Sequence, residues 1–311
     1  MKQLTGFKNL VELMVCFKSN VECLNYLKSL SWENSETPLE CPHCGHTKKI
    51  YAYADKQTFR CSECDVKFNV LTNTIFENTK VPLNKWFAAI WMAGSFKRGV
   101  SSVQLSKEIG VTQKTAWFML QRLRIMFENL APESLEGTMC VDETYIGGKQ
   151  KNKHYNKRTK GQQGRGGSEK INVFGIMEVD GKVKSKVVPD VKRETLVPII
   201  EQYAPFGSTI MSDEWFAYRG LAKNYHHDVC DHGRYQYVSD TGATTNPIEN
   251  YWSHVKRAVI GTYYHISKKH INRYLAEFDY KFNTRKETDA SRFILTLQNS
   301  HGRLKYRELI S

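Results

Sequence analysis

Apolar positions along the chain follow four successive patterns. Leu10, Leu13, Met14, Phe17, Val21, Leu24 and Leu27 recur at helical spacing with charges that cancel, which predicts a helical packing segment over 1–37. Over 38–79 the pattern shortens to the alternating stretches Ile50-Tyr-Ala-Tyr53 and Thr58-Phe-Arg60, as in short strands. Over 80–133 helical spacing returns. Trp86, Phe87, Ile90 and Trp91 predict a helix from Pro82 to Ala93, and Ser101 caps a short one ending at Ile109. After a turn at Gly110-Val111-Thr112, Thr112 caps a longer helix from Gln113 to about Phe127.

From about Leu135 the pattern becomes α/β. Thr138 to Ile146 reads as a strand, and Ile171–Val179 and Lys182–Val188 pair across the Asp180-Gly181 turn. A helix from Thr195 to Tyr203, a strand from Ser208 to Asp213, a helix from Glu214 to Lys223 and a helix opening at Asn246 follow. The expected architecture is multidomain α+β: a helical segment, then short strands flanked by the Cys41/Cys44 and Cys61/Cys64 pairs as in a zinc ribbon, then a helix-turn-helix, and an α/β domain over 134–311 whose element order resembles ribonuclease H.

Composition bounds this picture. The 311 residues are 41% hydrophobic and 25% charged, a globular balance that suits two or three domains. No run of 18 apolar residues exists, and Lys8, Glu12 and Lys18 interrupt the first twenty residues. We therefore expect no membrane span, no signal peptide, and a cytoplasmic protein. The net charge is +13. Lys80 to Ile125 and Lys149 to Lys170 each carry +7, while the remaining 29 basic and 30 acidic side chains nearly cancel. Concentrated positive charge points to nucleic acid, although a charge run can also be an ordinary solvated face. In the first segment the short helix, turn and long helix form a helix-turn-helix pattern presenting Gln113, Lys114 and Trp117, with Arg122 and Arg124 further along. An ordinary αα-hairpin would show the same pattern. In the second segment Lys149, Lys151, Lys153, Lys157 and Arg158 lie in a Gly-rich stretch suited to tracking phosphates.

Cys41-Pro-His-Cys44 and Cys61-Ser-Glu-Cys64, sixteen residues apart, have the spacing of two knuckles around one tetrahedral zinc. With four thiolates supplied the site is closed, so this metal is structural, and His43 and His46 are loop residues. Cys16 and Cys23 are placed on one helix face, and Cys140 and Cys230 in apolar or strand-like surroundings.

Asp142 falls inside a strand, Asp213 at the end of another and Glu249 on a later helix. Carboxylates converging on a sheet edge suit Mg²⁺, and phosphodiester chemistry uses two such ions about 3.5–4 Å apart. The residues alone leave other readings open. Asp213 can cap a helix, and Glu249 can close a capping box on Asn246 with Pro247 at the first helical position. Asp142 and Glu143 point to opposite strand faces, so only one faces inward.

The ordered set of both cysteine knuckles, Val141-Asp-Glu-Thr-Tyr-Ile-Gly-Gly148, Ser212-Asp-Glu214 and Asn246-Pro-Ile-Glu-Asn-Tyr-Trp252 resembles bacterial insertion-sequence transposases, closest to family 1595 with its ISXO-type domain. Gly261-Thr-Tyr-Tyr-His265, Phe282-Asn-Thr-Arg285 and Arg303 to Leu309 extend the likeness over nearly the whole chain. The resemblance implies an Asp-Asp-Glu enzyme with Asp142, Asp213 and Glu249 holding Mg²⁺, and Lys256, two helical turns after Glu249, on DNA. Some relatives have Asn as the third ligand, which keeps Asn246 and Asn250 as candidates, and His232 stands where the family often has His. The implied activity is Mg²⁺-dependent cleavage at element ends and strand transfer into double-stranded target DNA, by a homo-oligomer. The alternatives are a non-catalytic DNA-binding regulator and a nuclease that never joins strands.

Overall fold

A computed structural model describes residues 7–32, 37–148, 154, 156, 170–230 and 244–310. The chain divides into two compact units, 1–130 with 286–311, and 131–285.

The first unit opens with two helices, α1 (Leu10–Cys16) and α2 (Asn20–Ser31). The spacing expected to run through one helix is broken at Ser19, whose hydroxyl accepts from the Glu22 N–H while the Glu22 carboxylate accepts from the Ser19 N–H. This reciprocal cap starts a new helix. Cys16 and Cys23 therefore sit on separate helices, a correction to the single face expected for them.

Three short strands, β1 (Ile50–Ala52), β2 (Phe59–Cys61) and β3 (Lys67–Phe68), form an antiparallel sheet with Ile50 opposite Cys61 and Phe59 opposite Phe68. Helices α3 (Leu83–Ser95), α4 (Ser102–Ile109) and α5 (Gln113–Glu128) follow. Ser101 and Thr112 accept the N–H of Gln104 and Thr115, and Gly110 ends α4 in the left-handed region at φ 62°. The last residues complete this unit. In α9 (Asp289–Gln298), Phe293 packs among Phe7, Phe17, Phe87 and Trp91, at centroid distances of 5.5, 6.2, 5.4 and 6.2 Å. Ile75 N–H donates to the Ser300 carbonyl, Gly302 N–H donates to that of Asn73, and α10 (Tyr306–Ile310) closes the chain.

The second unit is built on a five-stranded mixed sheet. Its strands are β4 (Thr138–Ile146), β5 (Ile171–Glu178), β6 (Val183–Val188), β7 (Thr209–Asp213) and β8 (His226–Cys230), in the order β6-β5-β4-β7-β8. The first three are antiparallel neighbours; β7 and β8 are parallel to β4. On one face α6 (Arg193–Tyr203) covers Met139, Val141, Phe174 and Ile210. On the other, α7 (Asn246–Ala258) and α8 (Ile271–Asn283) cover Cys140, Ile146, Val173 and Met177. The helix expected over 214–223 is instead two 3₁₀ turns, Phe216–Tyr218 and Leu221–Lys223. Gly220 separates them at φ 90°, where an α-helix cannot continue.

Candidate active site and metal centre

The zinc knuckles come together in the first unit. Sγ of Cys41 lies 3.7 Å from that of Cys64, and Sγ of Cys44 lies 3.7 Å from that of Cys61. All four sulfurs lie within 4.8 Å of one another, as no other ligand group does among the described residues. The edge of a tetrahedron with 2.3 Å Zn–S bonds is about 3.8 Å, so this spacing fits a structural zinc. Backbone N–H groups of Cys64 and Glu63 lower the Cys61 thiol, while burial and the neighbouring sulfurs raise Cys44 and Cys64, so four thiolates crowd together stably only around a cation.

In the second unit the strand pleat sorts the acids. Asp142 shares a face of β4 with Cys140 and Ile146, on the α7 side; Glu143 shares the opposite face with Val141. There the Tyr218 hydroxyl donates to Glu143. The parallel pairing of β4 and β7 ends at Cys140 opposite Met211. Two residues further, the same register sets Asp142 beside Asp213, on the face that Met211 turns to α7. Asp213 Oδ1 also accepts the Trp215 N–H at 3.1 Å, which turns the chain out of β7.

Glu249 arrives on the first turn of α7, whose Ile248, Tyr251, Trp252 and Val255 are buried. The N-cap is Thr245, one residue earlier than the sequence suggests, and makes no side-chain cap bond to the backbone. Its hydroxyl donates to Glu249 Oε1 at 3.1 Å, so the capping box on Asn246 does not form. Asn246 and Asn250 are exposed on the same turn. Burial pushes the Asp142 carboxyl up to about 7; the charges of Asp213 and Glu249 push it the same way, while Lys256 pulls it down. Three charged groups, one from β7 and two from α7, thus act on Asp142 of β4.

Two features of α7 were not legible as site residues. A Cβ on Gly175, the β5 residue paired with Asp142, would lie 2.5 Å from Trp252 Cζ2 and 3.1 Å from Ile248 Cδ1. Glycine is what lets α7 come this close to the sheet. Gly175→Ala should therefore cost about 1–3 kcal/mol by overpacking and lower activity by shifting Glu249; Trp252→Phe added to it should restore part of the melting temperature. The second feature is a buried knot. Asp279 of α8 accepts from the Ser185 N–H at 2.9 Å, the Ser185 hydroxyl at 2.6 Å and the Tyr251 hydroxyl, tying α7 and α8 to β6. Burial raises the Asp279 carboxyl to about 6. Because that value lies above the unfolded 3.8, its stabilising contribution is complete below pH 3.8 and is lost as pH rises through 6. Unfolding measured across this window should show on the order of 1–3 kcal/mol lost in wild type and a flatter curve for Asp279→Asn. Parallel curves would remove Asp279 from this account.

The residues expected on DNA divide into three sets. Gln113 and Lys114 are exposed on the first turn of α5, where the Gln113 amide donates to Ser102 Oγ at 2.7 Å and the Lys114 ammonium lies 5.2 Å from the Tyr306 ring centroid. Lys256 is exposed on α7. Arg122 and Arg124 are buried, 8% and 1% exposed, and this corrects their assignment as DNA contacts. Arg122 donates to the carbonyls of Ile75 and Leu304 at 2.6 and 3.2 Å; it ties the first unit together and does not face a phosphate. Lys149, Lys151, Lys153, Lys157, Arg158 and His232 lie outside the described residues. Among the described residues no helix is long and apolar enough to cross a membrane.

Residues 134–283 match the ISXO2-like transposase domain and residues 18–66 the transposase zinc-ribbon domain. A protein of Halobacterium salinarum described as an uncharacterized protein in transposable element ISH50 is 26% identical over 275 residues, 84% of this chain and 90% of its own. An uncharacterized transposase-like protein of Haemophilus influenzae is 31% identical over 103 residues, 33% of this chain and 81% of its own.

Proposed function

This chain belongs to the ISXO2-like transposase family of insertion sequence 1595 type, and from that premise we propose that it binds the ends of an insertion sequence, cuts a DNA strand there and joins it into target DNA. The observation that carries the reading is the meeting of Asp213 and Glu249 charges on Asp142 from three separate elements. Counted within the second unit, the strand order is 3-2-1-4-5, with the first three antiparallel and the last two parallel, which supports a ribonuclease H-like catalytic domain over 134–285; residues 286–311, expected within that domain, fold with the first unit instead. The further domains are an N-terminal segment to 37, a zinc ribbon over 38–79 and a helix-turn-helix region over 80–133. The α4–Gly110–α5 geometry with exposed Gln113 and Lys114 supports the last.

The donor set fits a hard divalent cation. It is all carboxylate oxygen, and its mutual repulsion is relieved by positive charge. Asp142, Asp213 and Glu249 would hold Mg²⁺, which supplies Lewis-acid stabilisation to phosphodiester chemistry when bound. The other groups position and neutralise. Asp142 gives up its proton as positive charge enters. Thr245 holds the Glu249 carboxylate, and Tyr218 keeps Glu143 on the far face. Lys256, exposed on the helix that carries Glu249, takes a phosphate of the DNA. In this reading the protein works on the nucleoid as a homo-oligomer that holds two ends.

The test is incubation of the chain with duplex DNA carrying the element's ends, with Mg²⁺ and with EDTA. Nicked and joined products that need Mg²⁺ are expected. Nicking without joining would replace the reading by a nuclease, and binding without nicking by a regulator.

A further inference from the structure

The remainder of the chain, near neutral as a whole, conceals a third basic stretch. From Asn250 to Ala276, 27 residues, there is no Asp or Glu, while Lys256, Arg257, Lys268, Lys269 and Arg273 carry +5. The stretch begins directly after Glu249 and ends before Glu277. Lys256, Arg257, Lys268 and Lys269 are all exposed.

Its backbone is unusual. At Val259 α7 widens into one π-helical turn, Val259–Tyr263, and Tyr264 follows at φ 57°, ψ −49°. A bulky residue with positive φ is held against its own preference, and π turns concentrate at functional positions. The turn sorts its side chains sharply. Tyr263 faces inward: its hydroxyl donates to Glu277 Oε1 at 2.6 Å and its ring meets that of Tyr274 at 4.9 Å. Ile266 is buried. Ile260 and Tyr264, four residues apart, face outward and are 72% and 82% exposed. Two large apolar side chains thus stand in water at the tip of an acid-free, basic arm.

We propose that this arm is a DNA-binding surface of the second unit, in which Lys256, Arg257, Lys268 and Lys269 take backbone phosphates and the Ile260–Tyr264 tip packs on base faces of the same DNA. The proposal rests on the DNA-processing function above. Charge selects the occupant: five cations with no acid among them suit a polyanion, and aromatic or aliphatic tips between phosphate contacts suit bases. Continuity supports the same choice, because α7 carries Glu249 at one end and leads into the arm at the other. Tyr264 follows Glu249 by 15 residues, and at about 1.5 Å per residue the separation is roughly 20 Å, about six base-pair steps of 3.4 Å.

The test uses the full chain and a duplex from the DNA bordering its coding region, with 2-aminopurine scanned along positions near the cut. Binding is measured without divalent metal and strand joining with Mg²⁺. Tyr264→Ala should weaken binding about tenfold and Tyr264→Trp should retain it. The fluorescence change, centred about six base pairs from the cut in wild type, should vanish in Tyr264→Ala. Lys268→Gln with Lys269→Gln should lower the salt slope of binding by about two. Tyr264→Gly separates function from folding: it relieves the positive φ, so its melting temperature should rise while its binding falls as in Tyr264→Ala. Wild-type binding by Tyr264→Gly would overturn the proposal. So would loss of self-association in Tyr264→Ala without DNA, which would make a second copy the occupant. A wild-type protein that binds but never cuts would sink the catalytic reading and leave the metal-free measurement intact.

Discussion

Asp142→Asn is expected to give a folded protein that still binds DNA but cuts and joins strands on the order of a thousandfold more slowly or worse. The amide keeps the shape of the carboxylate on β4, so the pairing with Gly175 and the packing of α7 are untouched. What disappears is the carboxylate on which the charges of Asp213 and Glu249 act. The same loss should act oppositely on stability. The Asp142 carboxyl lies near 7, above its unfolded value of 3.8, so above pH 7 its ionised form opposes folding when no cation is present. At pH 8 in EDTA the variant should melt at a higher temperature than wild type, and Mg²⁺ should raise the melting temperature of wild type alone. Gel assays of nicking and joining alongside melting curves check both. Activity equal to wild type would remove Asp142 from the chemistry, and a Mg²⁺ shift preserved in the variant would remove it from the metal.

Stripping the zinc should have the second large effect. The ribbon sheet has strands of three, three and two residues, too few to stand by themselves. Phe59 and Phe68, 6.0 Å apart between centroids, with Trp32 beside Phe59, supply its small apolar centre. Metal binding in comparable small domains is worth about 10–16 kcal/mol, and that energy is then folding energy. Cys44→Ser or Cys61→Ser should lose the zinc of the four-sulfur site and the order of the ribbon. Affinity for element ends should fall, while the transition of 131–285 stays where it was. Cys140→Ser should keep its zinc, because that thiol is buried in the second unit. Metal analysis and calorimetry distinguish these outcomes, and a Cys44→Ser protein holding one zinc would contradict the four-sulfur site.

The pattern of residues predicts local structure well where local chemistry decides it. Ser101, Gly110 and Thr112 mark the boundaries of α4 and α5 because each answers a backbone need at that position. Strand β4 was legible end to end, and the one-face rule separates Asp142 from Glu143. Orientation was less legible. Helical spacing shows that α5 has faces but not which one the remainder of the unit covers, so Arg122 and Arg124 passed for surface cations. Helix 214–223 was overpredicted because the φ of Gly220 depends on the fold around it. Gly175 carried no signal, since its role is the absence of a side chain against Trp252, a residue 77 positions away. The +5 of the arm after α7 is hidden in the net charge, where acids elsewhere cancel it.

Residues 286–311 fold with 1–130, so the first unit is interrupted in sequence by the whole of the second. During synthesis on the ribosome, Phe7, Phe17, Phe87 and Trp91 emerge early but wait for Phe293 to close their cluster. Arg122 waits for the carbonyl of Leu304, and Ile75 for that of Ser300. The second unit, continuous in sequence, can be complete before the first. A chain released early by nonsense mutation or ribosome stalling near 285 would contain the proposed cutting machinery with an unfinished grip on element ends. Only chains that reach 286–311 then complete the first unit, and copies truncated before it should interfere weakly with intact ones at those ends.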